Sequence, residues 1–273
     1  MDFADLLLRV VLGLVIGFCI GLTGVGGGVL VLPALTLLLR MNAVMAVGTA
    51  SLYAFLTKIS ATFHHAKLKT IDWTLSLLFL AGAIPVNFLV ARWIAGQGAN
   101  EEFTAALKTF ITGMVFFCVA MMVFNLARKI LAQKKGDTNE QLSDRIAKLP
   151  ILRRTLAVAL GGVVGALIGA TSIGGGVLIV PMLMILFGLE ARQTVGSSIF
   201  IAVMLTLVTA ISYFSGENSM DAMTAIVMAA GSLVGVPFGS KLSVRMPEKL
   251  LQVVVIGIIL IAAVMMLVNG GSH

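Results

Sequence analysis

The sequence predicts an all-α protein that crosses a membrane several times and consists of two repeats of opposite orientation. Composition is the first reason, since 59% of the 273 residues are hydrophobic, only 11% are charged and the mean hydropathy is +1.07. A soluble domain carries about 25% charged residues. Each crossing needs roughly 20 apolar residues, so the chain has room for about eight. An internal duplication and the distribution of positive charge are the other two reasons.

The duplication is found when the chain is shifted against itself by 148 residues. The segment GLTGVGGGVLVLP, 21–33, then lies over GATSIGGGVLIVP, 169–181, and 17 of the 36 pairs between 13–48 and 161–196 are identical. We therefore predict one membrane domain made of two repeats. The first repeat is 1–127, the linker 128–154, the second repeat 155–269 and the tail 270–273.

Positive charge in the connecting segments predicts the orientation. Lys and Arg are retained on the cytoplasmic side, and the linker carries eight of them. With the linker inside, both termini are predicted outside, and each repeat is a broken, re-entrant helical hairpin followed by three transmembrane helices. The segments are 4–39, 44–63, 73–95 and 103–127, then 155–188, 195–214, 221–240 and 249–268. Inverted repeats are typical of secondary transporters, which work by alternating access to a midplane site.

A cluster of three glycines interrupts each predicted hairpin, and the apolar stretch that follows it is short. Residues 29–39 and 177–187 number 11 each, and a helix of that length rises about 16 Å, too little to cross the bilayer. Pro33 and Pro181 are expected near the first turn of these half-helices, where a missing N–H costs least. Unpaired N–H groups and the positive dipole end at such a start attract anions. Two starts at membrane depth would form one central anion site.

The candidate substrate-binding residues are the two clusters and the polar residues near them. Hydroxyl groups beside the glycines and at the start of the next span can donate to oxyanion oxygens. The alternative is that these small residues only let helices pack closely, as we expect for the glycines spaced by four at 13, 17 and 21 and at 161, 165 and 169. The candidates are Thr23, Gly24, Gly26, Gly27, Gly28, Thr49, Ser51, Thr171, Ser172, Gly174, Gly175, Gly176, Ser197 and Ser198.

Two further candidates lie within predicted spans. Lys58 can serve as a counter-charge for the anion, or its side chain can snorkel to the interface, because it is five residues from the predicted inner end of its span. Asn87 can face the cavity or make an interhelical hydrogen bond. No Asp or Glu is predicted in the middle of a span, which favours an anion over a cation as substrate. His64 and His65, at the inner face, are candidates for coupling to protons.

Other classes of function lack their motifs. Cys19 and Cys118 are the only cysteines and form no metal-binding pattern. Neither glycine cluster matches a nucleotide-binding motif, and the basic residues report membrane orientation, not nucleic-acid binding. We predict no cofactor, no metal and no enzymatic activity. A secondary transporter and a passive anion channel of the same architecture remain as alternatives, with the oligomeric state open.

The paired glycine motifs, the VGT and VGS segments at 47–49 and 195–197 and the basic linker resemble the TauE/SafE family of sulfite exporters and organosulfonate permeases. The resemblance covers nearly the whole chain. It implies transport of a sulfur-containing anion such as sulfite, sulfoacetate, a taurine-related sulfonate or thiosulfate across the bacterial cytoplasmic membrane. It also implies that the family's glycine motifs fall on 24–28 and 172–176.

Overall fold

The computed structural model describes residues 3–23, 28–98, 100–132, 150–173, 176–216 and 219–243, with 256–257, 260–261 and 264–265. Within these ranges every regular element is an α-helix. The long ranges contain nine helices, which are α1 Phe3–Thr23, α2 Gly28–Leu37, α3 Ala43–Lys67, α4 Trp73–Ala95, α5 Glu101–Ala132, α6 Pro150–Thr171, α7 Ile179–Ile185, α8 Ala191–Phe214 and α9 Ala222–Ser243.

Seven of these helices are long and apolar enough to cross a membrane. They are α1, α3, α4, α5, α6, α8 and α9, and they confirm the prediction of an all-α polytopic membrane protein. Their ends differ from the predicted ones by at most five residues, and this largest difference occurs at the end of α5, Ala132, and at the start of α6, Pro150. The predicted span 249–268 lies mostly outside the described residues, as do residues 133–149 of the predicted linker 128–154. The remaining linker residues belong to α5 and α6.

Helices α2 and α7 are short, with 10 and 7 residues. At 1.5 Å per residue they rise about 15 and 10 Å, so neither crosses the bilayer alone. Pro181 lies in the first turn of α7, as predicted. Pro33 lies just after the first turn of α2, which begins at Gly28.

The two short helices end in the same way. After α2 the residue Arg40 has a φ of 51°, and after α7 the equivalent Gly188 has a φ of 64°. The N–H of Met41 donates to Leu35 O at 3.1 Å, and the N–H of Leu189 donates to Leu183 O at 3.2 Å. At both ends a left-handed residue lets the chain reverse, and the N–H that follows it bonds to a carbonyl six residues earlier in the short helix.

Helix α1 packs along α9, and α6 packs along α4. Both contacts are close because glycine lies at the crossing points. A side chain at Gly13 would collide with the Met228 backbone, and one at Gly161 would collide with the Phe79 backbone. Spacing by four predicts such packing faces. What spacing did not predict is that each face meets a helix of the other repeat.

Because α1 packs on α9 and α6 packs on α4, helices of the two repeats combine in two apolar cores. One is formed by residues of α4, α6, α7 and α8, and we call these four helices the second bundle. The other is formed mainly by α1, α2, α3, α5 and α9, which we call the first bundle. Each bundle thus contains one helix from the other repeat. The main contact between the bundles is that of α3 with α8.

Candidate functional site

The two helix breaks lie between α1 and α2 and between α6 and α7. Helix α1 ends at Thr23, whose side chain is not among those described, and α2 begins at Gly28. Helix α6 ends at Thr171, and Gly176 lies in the turn before α7. The predicted site residues Gly24, Gly26, Gly27, Gly174 and Gly175 lie outside the described residues.

The flanks of the two breaks share one apolar core. Ile173 and Val177, on either side of the second break, belong to the same buried cluster as Val29 and Leu32, which follow the first break. All four are at most 5% exposed. Helix α2 therefore starts in the same buried region as the second break, where the free N–H groups of a helix start need partners.

At the second break Thr171 makes hydrogen bonds to the backbone, whereas Ser172 has a left-handed backbone and, among the described residues, an unpartnered hydroxyl. The Thr171 hydroxyl donates to Leu167 O at 2.6 Å and accepts from the Ile173 N–H at 3.2 Å. Ser172 has a φ of 54°, a left-handed conformation that is uncommon for residues other than glycine. Its Oγ is buried, with the residue 4% exposed, and has no hydrogen-bond partner in the described part of the chain. A buried polar group without a partner is costly unless a ligand supplies one.

A buried polar network fixes α6 just before this break. Asn87 on α4 donates to Gly165 O at 3.0 Å and accepts from the Thr209 hydroxyl on α8 at 3.0 Å. One turn further along α8, the Tyr213 hydroxyl donates to Gly169 O at 3.2 Å. Asn87 is thus an interhelical hydrogen-bonding residue in this structure. Sequence reasoning missed Thr209 and Tyr213, since hydroxyl residues within an apolar helix do not reveal which carbonyl they face.

Thr49 and Ser197 bind the backbone of the segments that precede two other helices. Thr49 Oγ1 accepts the Asp221 N–H at 3.0 Å, and Ser197 Oγ accepts the Asp72 N–H at 2.9 Å. Each aspartate in turn caps its helix, with Asp72 Oδ1 accepting the Leu75 N–H at 3.0 Å. Ser51 and Ser198 donate to carbonyls of their own helices, Val47 O and Val195 O.

The positions of Thr49 and Ser197 differ along the bundle. Gly48 lies against Tyr213, near the end of α8, whereas Gly196, near the start of α8, lies against Thr70, which follows α3. Helices α3 and α8 are therefore antiparallel, and Thr49 and Ser197 mark opposite ends of the pair. The 18 residues from Thr49 to Lys67 rise about 27 Å. The structure does not bring these two hydroxyls to one small site.

Lys58 lies farther from the end of its helix than the predicted span placed it. Helix α3 continues to Lys67, nine residues beyond Lys58, and this stretch rises about 13 Å, longer than a lysine side chain. The side chain is partly exposed and, within the described residues, makes no ion pair. His65, nearer the end of α3, has its Nδ1 at 2.9 Å from Thr70 Oγ1. The side chain of His64 is not among those described.

A charged cluster joins the starts of α1 and α9. Arg9 pairs with Asp5 at 3.0 Å and with Asp221 at 3.1 Å, and it also donates to the Thr224 hydroxyl. Burial raises the pKa of the Asp221 carboxyl, but hydrogen bonds from Thr224 and the charge of Arg9 outweigh burial and hold that pKa below its ordinary value. At the positions equivalent to Arg9 and Thr224 the second bundle has Ala157 and Leu75. The cluster is therefore present at one end of the protein only.

The chain matches the sequence model of the family described as sulfite exporter TauE/SafE over residues 9–266. The chain belongs to the TauE/SafE family. It is 33% identical to the probable membrane transporter protein YjnA of Bacillus subtilis over 255 residues, which cover 93% of this chain and 96% of the relative. It is 28% identical to the probable membrane transporter protein YunE of the same organism, over 92% and 93% of the two chains.

The similarity extends beyond one group of bacteria. A probable membrane transporter protein of Methanocaldococcus jannaschii is 25% identical over 283 residues, covering 98% of each chain. No solved structure matches this TauE/SafE chain. Among the described residues no three His, Cys, Asp or Glu side chains come together as a possible metal site. Family and relatives together identify the protein as a multi-pass membrane transporter.

Proposed function

We propose that this TauE/SafE protein is a secondary transporter of a small sulfur-containing oxoanion or organosulfonate, with sulfite, sulfoacetate and thiosulfate as candidates. The observation that carries the proposal is the pair of helix breaks whose flanks share one buried core. The family name supplies sulfur as the chemical class. The site supports a negatively charged substrate, because free N–H groups at a helix start bind anions.

The anion is held by backbone N–H groups of the breaks and by hydroxyl donors beside them. Gly28 begins α2, a helix of ten residues whose first N–H groups have no partner within the helix. Ser172 adds a buried hydroxyl without a partner. Within the described spans, the acidic residues of the helices packed against α3 lie at helix starts, as Glu101, Glu102 and Asp221 do. The centre of the protein therefore favours negative charge.

Lys58 is the counter-charge of the substrate in this proposal. Its depth on α3 makes an ammonium group costly unless an anion or water accompanies it. The equivalent residue on α8 is the neutral Thr206, which donates to the carbonyl of Ala202 at 2.8 Å. One positive charge at the centre attracts an anion, and with a dianion such as thiosulfate it offsets part of the charge while the backbone N–H groups interact with the rest. Protons are the candidate coupling ion.

Alternating access is proposed to occur by motion of the two bundles against each other. Equivalent contacts of the two repeats support an inverted-repeat arrangement: α1 with α9 corresponds to α6 with α4, and α2 with α3 to α7 with α8. The glycine contacts are too close to slide. Each bundle then moves as a unit and carries one helix of the other repeat. Both termini are proposed outside and the linker inside, as loop charge predicts.

Binding is tested first, by a thermal-shift screen of the purified protein with sulfite, sulfate, thiosulfate, taurine and sulfoacetate. A ligand that binds only the folded state raises the melting temperature by mass action. Gly27→Val and Gly175→Val should remove the shift, because a β-branched side chain obstructs both the backbone and the approach of the anion. Gly113→Val is the matched control, since nothing lies within 4 Å of a Cβ at Gly113. Unchanged affinity in folded Gly27→Val protein would contradict the proposed site.

Transport is tested in liposomes with the anion that gives the largest shift. A transporter should show counterflow, in which unlabelled anion on one side drives uptake of labelled anion from the other. Passive flux that follows only the electrochemical gradient would identify a channel of the same architecture. Cysteine labelling near Lys134 tests the orientation, and labelling from the outside would contradict it.

A further inference from the structure

Tyr53 has a buried hydroxyl for which the fold provides no hydrogen bond. The residue lies on α3 and is 0% exposed, and its hydroxyl has no partner in the described part of the chain. Ser232 on α9 and Cys19 on α1 are its polar neighbours. The Ser232 hydroxyl donates to Ala229 O at 2.7 Å and could accept from the phenol, but the distance and angle between the two groups do not meet those of a hydrogen bond.

Most buried phenol groups have a partner, and an exception needs an explanation. The described residues contain four buried side-chain oxygens without one, on Tyr53, Ser76, Thr104 and Ser172. Ser76 and Thr104 lie in the first turns of α4 and α5, near the ends of spans. Ser172 lies at the second break. Tyr53 is the remaining case, in the middle part of α3.

The place of Tyr53 relates it to the first break. Its neighbour Cys19 precedes the end of α1 at Thr23 by four residues, a rise of about 6 Å. Tyr53 also belongs to the buried cluster that contains Val29 of α2 and Ile173 beside the second break. The cluster that contains Tyr53 therefore includes the start of α2, and Ser172, whose hydroxyl is also without a partner among the described residues, precedes Ile173 of the same cluster.

We propose that Tyr53 is a substrate-binding residue whose hydroxyl donates a hydrogen bond to an oxygen of the transported oxoanion. This inference rests on the proposed function and adds a residue to its site. A phenol is a good donor to a charged oxygen, and such a bond is stronger than one between neutral groups. The residue equivalent to Tyr53 in the second repeat is Ile201. The donor exists on one side only, so the anion binds in one orientation, with an oxygen towards α1 and α9.

The test compares Tyr53→Phe with Ser76→Ala in the full-length protein. Both changes remove a buried hydroxyl without a partner, and both should leave the melting temperature of the anion-free protein unchanged or raised, since the desolvation cost of the group disappears. With sulfite, sulfate, thiosulfate, taurine and sulfoacetate as probes, Tyr53→Phe should weaken binding roughly ten- to a hundredfold. Ser76→Ala should bind as the wild type does.

Each result has a distinct meaning. If the wild type binds an anion and Tyr53→Phe binds it equally well, the role of Tyr53 is wrong while the proposed function stands. If Tyr53→Phe lowers the melting temperature without anion, the hydroxyl has a partner inside the protein, and the inference is overturned as well. If the wild type binds none of the five anions, the proposed function itself fails.

Discussion

Thr49 Oγ1 accepts the backbone N–H of Asp221 at 3.0 Å, a bond between helix α3 and the residue before helix α9. Ser197 and Asp72 make the equivalent bond at 2.9 Å. The four residues occupy equivalent positions in the two repeats, 148 residues apart for the hydroxyls and 149 for the aspartates. Each bond ties a helix of one repeat to a helix of the other, within one bundle.

The first prediction is that Thr49 positions Asp221 and does not contact the anion. Thr49→Val preserves shape but leaves the Asp221 N–H without an acceptor, which costs about 1–3 kcal/mol for a buried donor. We expect a lower melting temperature and an unchanged anion affinity. Thr49→Ser keeps the oxygen and is the control. If Thr49→Val protein were as stable as the wild type but bound the anion more weakly, Thr49 would be a residue of the binding site.

The second prediction concerns the glycine contacts between repeats. Gly161→Ala places a methyl group against the Phe79 backbone, and because a backbone cannot yield as a side chain does, we expect a loss of stability of about 1–3 kcal/mol or more. Gly113→Ala should be neutral or stabilising by up to about 1 kcal/mol, because its surroundings are open and alanine favours helix. Thermal unfolding in detergent measures both. Equal stability of the two variants would contradict the close packing of α4 with α6.

Sequence patterns predicted the local elements well because their causes are local. Apolar length identifies a span, and glycine clusters next to short apolar stretches identify the breaks, so α2 and α7 were expected. Which helices pack against each other is not determined by the local sequence. The repeats show that Gly13 and Gly161 are equivalent, but a packing face does not name the helix that it meets, so the exchange of α4 and α9 between bundles was not predicted.

Side-chain partners were also beyond the sequence. Thr209 and Tyr213 look like any hydroxyl residues in an apolar helix until Asn87 and Gly169 are placed beside them. The predicted end of the third span differs from the helix end for a local reason, because polar residues follow position 63 while helix α3 continues to Lys67. Lys58 is therefore nine residues from the helix end, not five.

The third prediction is a pH dependence that comes from Asp221. Its pKa is lowered in the folded protein, so its stabilising effect is present above the unfolded pKa of about 3.9 and is lost as the pH falls through the lower folded value. Between pH 5 and 8 its contribution should therefore be constant. Asp221→Asn keeps a capping side chain but loses the ion pair with Arg9, and should reduce stability at pH 7 by at most about 1 kcal/mol.

Asp72→Asn is the matched control for the loss of the ion pair between Arg9 and Asp221. Asp72 caps α4 as Asp221 caps α9, yet the equivalent of Arg9 is Ala157, so no ion pair is lost. We expect the melting temperature of Asp221→Asn to depend on salt less than that of the wild type, because an ion pair is screened by salt. Equal salt dependence in the wild type and both variants would show that the pair of Arg9 with Asp221 contributes nothing.

The fourth prediction is that anion binding changes distances between the bundles and not within them. Spin labels replace exposed residues in a protein whose two cysteines have been removed. Leu7 on α1 and Leu242 on α9 report on the first bundle, and both are exposed. Leu7 paired with Leu89 on α4, also exposed, reports across the two bundles. We expect the distance distribution of the second pair to shift on addition of anion while that of the first stays fixed.

The reason for this expectation is the difference between the two kinds of contact. Within the first bundle, glycines of both helices bring the backbones of α1 and α9 together, as at Gly13 and Gly235, and such interlocked surfaces do not slide by small steps. Between the bundles, the main contact is that of α3 with α8, which can rearrange as a unit. If instead the pair on α1 and α9 moved while the pair on α1 and α4 stayed fixed, each repeat would have to move as its own body. The bundles would then be wrong as the moving parts, although both apolar cores would remain as described.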